Sequence, residues 1–293
     1  MNMKKKWGFL TICLLLTTMM LAACGQNNNN SGAGASTNTG SGNASTAPAE
    51  SAGNTTGDSS GGKLILGTSA DYPPFEFHIK GSDGNDQIVG IDIDIANEIA
   101  KDMGKELEIK DMQFSSLLNE LSSGRVDLVI SGLSPKPERA KQVDLSNIYY
   151  QAEQSIVVPE SSQDKYATME SLEGKTIGVQ TGSIQEDIGK GIKGAKLTSL
   201  AKISDIIMQL KSGRVDAAII ETPVAESYLK KVEGLAITSA KPTTEEDGYV
   251  IGVKKGNGDL MTKVNATLDR LKQAGKIDQF VTDANEIADQ QSN

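Results

Sequence analysis

Between Phe114 and Leu121 the apolar residues Phe114, Leu117, Leu118 and Leu121 fall at i, i+3, i+4 and i+7, the spacing of one helix face. The stripe stops before Gly124, a residue suited to the left-handed turn that ends helices, and the apolar run Val126 to Ile130 predicts a buried strand. The same order returns further on. Ile203, Ile206, Ile207 and Leu210 make a second stripe, Gly213 ends it, and Val215 to Ile220 predicts a second strand. Both joints are the pentapeptide SGRVD, at Ser123 to Asp127 and at Ser212 to Asp216. One such turn carries little weight, but two with matching flanks predict two lobes of similar α/β plan.

Each joint closes a strand, helix, strand, helix series. The pattern predicts Lys63 to Ser69, Ile93 to Met103, Leu107 to Lys110 and Phe114 to Ser122 in the first lobe. In the second it predicts Lys175 to Gln180, Ile184 to Lys190, Lys196 to Leu200 and Ile203 to Lys211. Such alternation favours parallel sheets covered by helices, with ligands held beyond the carboxyl ends of the strands. The loops there are Ser69-Ala-Asp-Tyr-Pro-Pro-Phe-Glu, Ser131-Gly-Leu-Ser, Thr181-Gly-Ser and Glu221-Thr-Pro, all polar and rich in helix-start residues. After Gly248 a strand over Tyr249 to Lys254 and a helix over Asp259 to Gln273 are expected. If these rejoin the first lobe, strands near Gln154 to Val158 and Ala236 to Thr244 cross between lobes and form a hinge. The resulting division is lobe 1 at 63–155, lobe 2 at 156–240, and a return to lobe 1 with C-terminal helices at 241–293.

The ends add a cellular address. MNMKKKWGFLTICLLLTTMMLAACG sets lysines before an apolar run and small residues before Cys24, the layout of a secretory signal over residues 1–23. Leu21-Ala22-Ala23-Cys24 resembles the lipobox of bacterial lipoproteins, which implies cleavage before Cys24 and a diacylglycerol thioether on it. Cys13 leaves with the signal, so no intramolecular disulfide is expected. Residues 24–62 are nearly all Asn, Ser, Gly, Thr and Ala, too polar to bury a core, and read as a flexible tether. Its root-mean-square span is roughly 34 Å. Losing residues 1–23 removes three lysines and no acid, taking the net charge from −9 to −12. Such a chain, without a basic block, is a poor ligand for nucleic acid. His78 is the single histidine, which excludes a multi-histidine metal site. Gly174-Lys175-Thr176 imitates the end of a phosphate loop, but position 169 is Met and a strand follows. Ser82 to Asp86 reads as a polar hairpin turn in preference to a calcium loop.

Several stretches in order resemble one family: Tyr72-Pro-Pro-Phe-Glu, Val89-Gly-Ile-Asp-Ile-Asp-Ile-Ala, SGRVD with its extension SGLSPKPER, Val143-Asp-Leu-Ser-Asn-Ile-Tyr-Tyr, Gly174-Lys-Thr-Ile-Gly-Val-Gln-Thr-Gly-Ser, and SGRVDAAIIETP. They resemble the polar amino-acid substrate-binding proteins of bacterial ABC importers, over Lys63 to about Ala284. The resemblance implies a two-lobed type II periplasmic-binding fold with two crossover strands as hinge and a ligand cleft between the lobes. It also implies capture of a free amino acid by lobe closure, delivery to an ABC permease with a separate ATPase, and no cofactor. The expected form is a monomer held outside the cytoplasmic membrane by its lipid alone. In this reading Arg139 takes the α-carboxylate as a planar bidentate donor. Ser134 adds donors, and Ser131 with Gly132 offers acceptors to the ammonium or a close backbone approach. From the second lobe come Gly182, Ser183 and Ile184 at a helix start, Gln180, and Glu221 for the ammonium, where relatives usually have Asp. Tyr72 and Phe114 match ring positions over the ligand side chain. Ser69 stands where several relatives have Asp, while Asp71, Glu76 and Gln180 lie near the mouth. The resemblance also admits a sensing lipoprotein or a dehydratase-like enzyme on the same fold.

Overall fold

The computed structural model describes residues 62–244 and 248–290. The expected signal over 1–23, Cys24 and the tether up to residue 61 lie outside the described residues. The chain opens with β1 (Lys63–Thr68), a small meander of β2 (Asp71–Tyr72), β3 (Glu76–Lys80) and β4 (Asp86–Val89), then α1 (Ile91–Asp102) and β5 (Glu106–Asp111). It continues through α2 (Leu117–Ser122), β6 (Leu128–Val129), α3 (Pro137–Gln142) and β7 (Val143–Leu145). The second lobe holds β8 (Gln154–Pro159), β9 (Thr176–Gln180), α4 (Ile184–Gly191), β10 (Lys196–Leu200), α5 (Ile203–Lys211), β11 (Ala217–Glu221), α6 (Thr222–Leu229) and β12 (Leu235–Ile237). The chain ends with β13 (Gly252–Lys254), α7 (Gly258–Gln273) and α8 (Lys276–Gln290).

Two five-stranded sheets result, ordered β5-β1-β6-β13-β7 and β10-β9-β11-β8-β12. Both are mixed, which corrects the expectation of parallel sheets. β1 pairs in parallel with β5 and β6, as β9 does with β10 and β11. The strands that carry the chain between lobes, β8 and β13, join antiparallel. A strand arriving from the other lobe enters the sheet from the opposite end, so no right-handed helical crossover constrains its direction. The Ala236 to Thr244 strand is also corrected: only Leu235–Ile237 lies on the ladder, and the chain then leaves the sheet. Where the two connections pass, Tyr150 and Tyr249 form a single antiparallel bridge, with Tyr249 N–H donating to the Tyr150 carbonyl at 2.8 Å.

The repeated pentapeptide does the same structural work twice. The Gly124 and Gly213 amides donate to Leu121 and Leu210, and both glycines have positive φ, 76° and 70°. Val126 and Val215 are buried in the cores of their lobes. Asp127 donates its N–H to the Ile65 carbonyl and accepts the Ile65 N–H at 2.8 Å with its carboxylate. Asp216 repeats both bonds with Thr176, its carboxylate accepting at 2.9 Å. The side chain thus replaces a ladder bond at the entry to β6 and β11. That is why these strands begin two residues later than the hydrophobic runs at Val126 and Val215 predict. The Phe114 helix likewise starts as a 3-10 turn over Phe114–Ser116 before becoming α2.

The lobes are closed on one another. Asp71 accepts the Ile203 N–H at 2.6 Å, Tyr228 Oη donates to the Asp71 carbonyl at 2.9 Å, and Lys136 pairs with Asp187. Lys230 adds a two-pronged bond from the end of α6 to Asp289 in α8, at 2.6 and 2.8 Å.

Candidate functional site

A buried cavity sits between the lobes at the strand ends the alternation pointed to. The space free of atoms there, open solvent included, is about 290 Å³. From the first lobe its wall takes Ser69 after β1, Tyr72, Glu76, Phe114, and Ser131, Gly132 and Ser134 after β6. From the second lobe it takes Gln180 at the end of β9 and Ser183, Ile184 and Gln185 at the start of α4. Nine of the expected site residues therefore share one wall, namely Ser69, Tyr72, Phe114, Ser131, Gly132, Ser134, Gln180, Ser183 and Ile184.

Arg139, Gly182 and Glu221 are not on that wall. Arg139 is 6% exposed, with its guanidinium 5.4 Å from the centre of the Phe114 ring. It donates to the Ser134 carbonyl at 2.8 Å and, across the seam, to the Gly182 carbonyl at 3.0 Å. Main-chain carbonyls thus occupy those two donors in the closed form. Gly182 turns its N–H to Glu186 at 3.0 Å. Glu221 is fully buried and caps α6, with one carboxylate oxygen accepting the Val224 N–H at 3.3 Å. Its other oxygen is buried without a hydrogen-bond partner. It stands behind the wall, opposite Gln154 in the β11–β8 ladder, and Gln154 bonds Gln185, which lines the cavity.

Local chemistry explains the α4 end. Ser183 is its N-cap: the hydroxyl accepts the Glu186 N–H at 3.1 Å and donates to the Gln180 carbonyl at 2.8 Å. The first amides of a helix have no partner within it. Those of Ile184 and Gln185 therefore open beside the cavity with the positive end of the helix dipole behind them.

At the other end stand buried carboxylates. Ser131 Oγ accepts the Ser69 N–H at 3.0 Å and donates to Glu76 Oε1 at 2.6 Å. Glu76 Oε2 is buried with no donor directed at it, and the Glu76 carboxyl is itself within hydrogen-bonding reach of Asp92. Burial, and then the neighbouring Asp92, push the Glu76 carboxyl well above its usual range. Asp92 accepts from the Gly132 N–H at 3.0 Å and from Tyr149 Oη at 2.8 Å, yet burial still raises it to about 6. The pair therefore holds a proton on Glu76 while Asp92 keeps the charge, since two donors face Asp92. Gly132 is required here by shape. Its φ is 52°, and a Cβ would lie 3.1 Å from the Tyr72 ring.

Gln185, Asp92 and Tyr249 join the site without being among the expected residues. Gln185 Nε2 donates to Gln154 at 2.8 Å and to Tyr72 Oη at 3.3 Å, and Tyr72 Oη lies 3.2 Å from Tyr249 Oη. This buried chain of polar groups crosses from one lobe to the other. A buried Gln is recognisable only from its partners. Asp92 offered one signal, an acid among the apolar positions of α1.

Two α/β lobes joined by a double crossover and closed over a polar interlobe cavity define a solute-binding protein. The chain belongs to the bacterial extracellular solute-binding proteins, family 3, whose profile matches residues 64–283. It is 40% identical over 282 residues to the arginine-binding extracellular protein ArtP of Bacillus subtilis (strain 168), covering 94% of this chain and 96% of the relative. Among solved structures, it is similar to the amino acid ABC transporter substrate-binding protein AbpA from Streptococcus pneumoniae Canada MDR_19A bound to L-arginine. That match has 38% identity and a TM-score of 0.75, over 77% of this chain and 95% of the other. An ancestral arginine-binding protein bound to glutamine is 38% identical with a TM-score of 0.66, over 74% of this chain and 95% of the other. These relatives are named as binding proteins, not as enzymes. No helix among the described residues is long and apolar enough to cross a membrane.

Proposed function

We propose that this protein captures L-arginine between its lobes outside the cytoplasmic membrane and presents it, in the closed form, to an ABC permease served by a separate ATPase. The observation that carries the choice of arginine is Glu76, a carboxyl 1% exposed on the cavity wall with no donor directed at its second oxygen. A guanidinium supplies several donors in a plane and remains charged, so it fills that vacancy and restores the carboxylate. Charge balance points the same way. Among the described residues the buried acids Glu76, Asp92 and Glu221 outnumber the buried base Arg139, and a cationic ligand can draw off the proton that burial holds on Glu76.

At the opposite end Arg139, packed on Phe114, takes the α-carboxylate together with the Ser134 hydroxyl and the Ile184 and Gln185 amides. The backbone at Ser131 and Gly132 accepts from the α-ammonium, and Glu221, a carboxyl that burial pushes well above its usual range, stands behind the wall with one oxygen free to accept. Tyr72 and Phe114 cover the aliphatic stem, and Gln180 and Ser69 complete the polar lining. Cys24 carries the lipid, and residues 24–62 tether a monomer to the outer face of the membrane. Thermal-shift screening of the twenty amino acids tests the assignment: L-arginine is expected to give the largest rise in Tm. A neutral or acidic amino acid in first place, with arginine silent, rejects it.

A further inference from the structure

Ser69 belongs to two cavities. Inward it lines the buried chamber, and outward it lines a second interlobe space of about 540 Å³, open solvent included. That outer space is built from Ala70, Asp71, Asp111 and Met112 of the first lobe and Ala201 and Lys202 of the second. We propose that it extends the ligand chamber and admits a small alkyl group on a terminal guanidinium nitrogen, so that the protein binds Nω-methylated arginine as well as arginine. This inference rests on the arginine reading above.

The order of groups along the chamber carries it. Arg139 and the start of α4 mark one end, and Phe114 lies against the Arg139 guanidinium. At the other end the Ser69 N–H, Ser131 and Glu76 form one hydrogen-bonded series. A side chain that starts at Arg139 and reaches Glu76 therefore brings its terminal nitrogens to Ser69. Ser69 is a thin partition, with its hydroxyl 3.5 Å from Asp71 Oδ1 on the outer side. A thickly walled chamber rejects an added methyl by overpacking, whereas here Ser69, a small side chain, is the lining residue that the inner and outer spaces share.

The outer lining also fits the chemistry of a methylated guanidinium, which is a cation with an apolar cap. Ala70, Met112 and Ala201 offer apolar surface. The carboxylates beside them are fixed in place. Asp111 accepts the Ala70 N–H at 2.9 Å and lies 3.1 Å from His78 Nε2, and Asp71 accepts the Ile203 N–H at 2.6 Å. Lys202 is the opposing charge on the second-lobe rim, facing two acids.

Titration calorimetry of the wild-type chain and of Ala201→Leu against L-arginine and Nω-methyl-L-arginine tests the inference. Ala201 lines the outer space and not the inner one, and its bond to the inner wall, from the Gln180 side chain to the Ala201 carbonyl at 3.2 Å, is made by backbone that the substitution keeps. For the wild type the methylated ligand is expected to bind within tenfold of arginine. Ala201→Leu is expected to keep arginine affinity and to weaken the methylated ligand by at least fivefold. Arginine binding with the methylated form more than tenfold weaker in the wild type overturns this inference alone. Equal effects on both ligands in Ala201→Leu overturn it too, while failure of arginine itself to bind overturns the reading beneath it.

Discussion

Glu76 and Arg139 divide the ligand between them, and each makes a separate prediction. Burial raises the Glu76 carboxyl well above its usual range, so the empty protein holds a proton that a bound guanidinium must displace. Arginine binding is therefore expected to release protons and to tighten as pH rises towards that raised value, by at most about tenfold per pH unit. Calorimetry in buffers of different ionisation enthalpy reads the release. Glu76→Gln should abolish it and weaken arginine at least tenfold, and an unchanged proton count would remove Glu76 from the site. Arg139→Ala should cost roughly 3 kcal/mol of binding, because it strands the ligand carboxylate in a closed cleft. The sequence already pointed to Arg139 through the SGLSPKPER extension. Glu76 looked like a mouth residue, because PPFE has no periodicity to reveal which way it faces. Only the pairing of Tyr72 with Glu76 in the β2–β3 ladder turns that carboxyl inward.

The elements that carried long periodic signals were legible almost to the residue. β10 (Lys196–Leu200) and α5 (Ile203–Lys211) match the spans read from the hydrophobic pattern, and α7 begins one residue earlier than expected. The meander β2 to β4, with α3, β7 and α6, was not legible as such, because short segments ending in prolines and polar turns show neither a 3.6-residue nor a two-residue repeat. The SGRVD joint was legible as a repeat but not in its mechanism, since a side-chain bond from Asp127 to Ile65 N–H leaves no trace in hydropathy. That mechanism predicts that Asp127→Ala and Asp216→Ala each lower unfolding free energy by about 1–3 kcal/mol, since each strands a backbone N–H. Urea denaturation at neutral pH measures both. Loss below about 0.3 kcal/mol at both sites would show that the shared aspartate is incidental.

Across the molecule, closure depends on groups that meet only when the lobes do. Asp71 lies at that seam, and burial pushes it up to about 6 although the Ile203 N–H and Lys202 oppose the shift. Unfolded chain releases this proton near pH 4, the closed fold near pH 6, so the folded state binds more protons between those values. The contribution of Asp71 to stability is therefore present below about pH 4 and falls by up to about 3 kcal/mol as pH rises to about 6. Asp71→Asn should flatten that part of the stability profile, as read by Tm against pH. The two-lobed plan was readable from the doubled joint, whereas the mixed sheets were not. Their antiparallel members arrive through crossovers whose direction no local pattern encodes. The central claim is that a cation completes the cleft, and one titration tests it most directly: L-arginine and L-glutamine against the same wild-type protein. The account predicts arginine at least a hundredfold tighter, because glutamine leaves the Glu76 oxygen without a charged partner. Glutamine binding as tightly as arginine would contradict it.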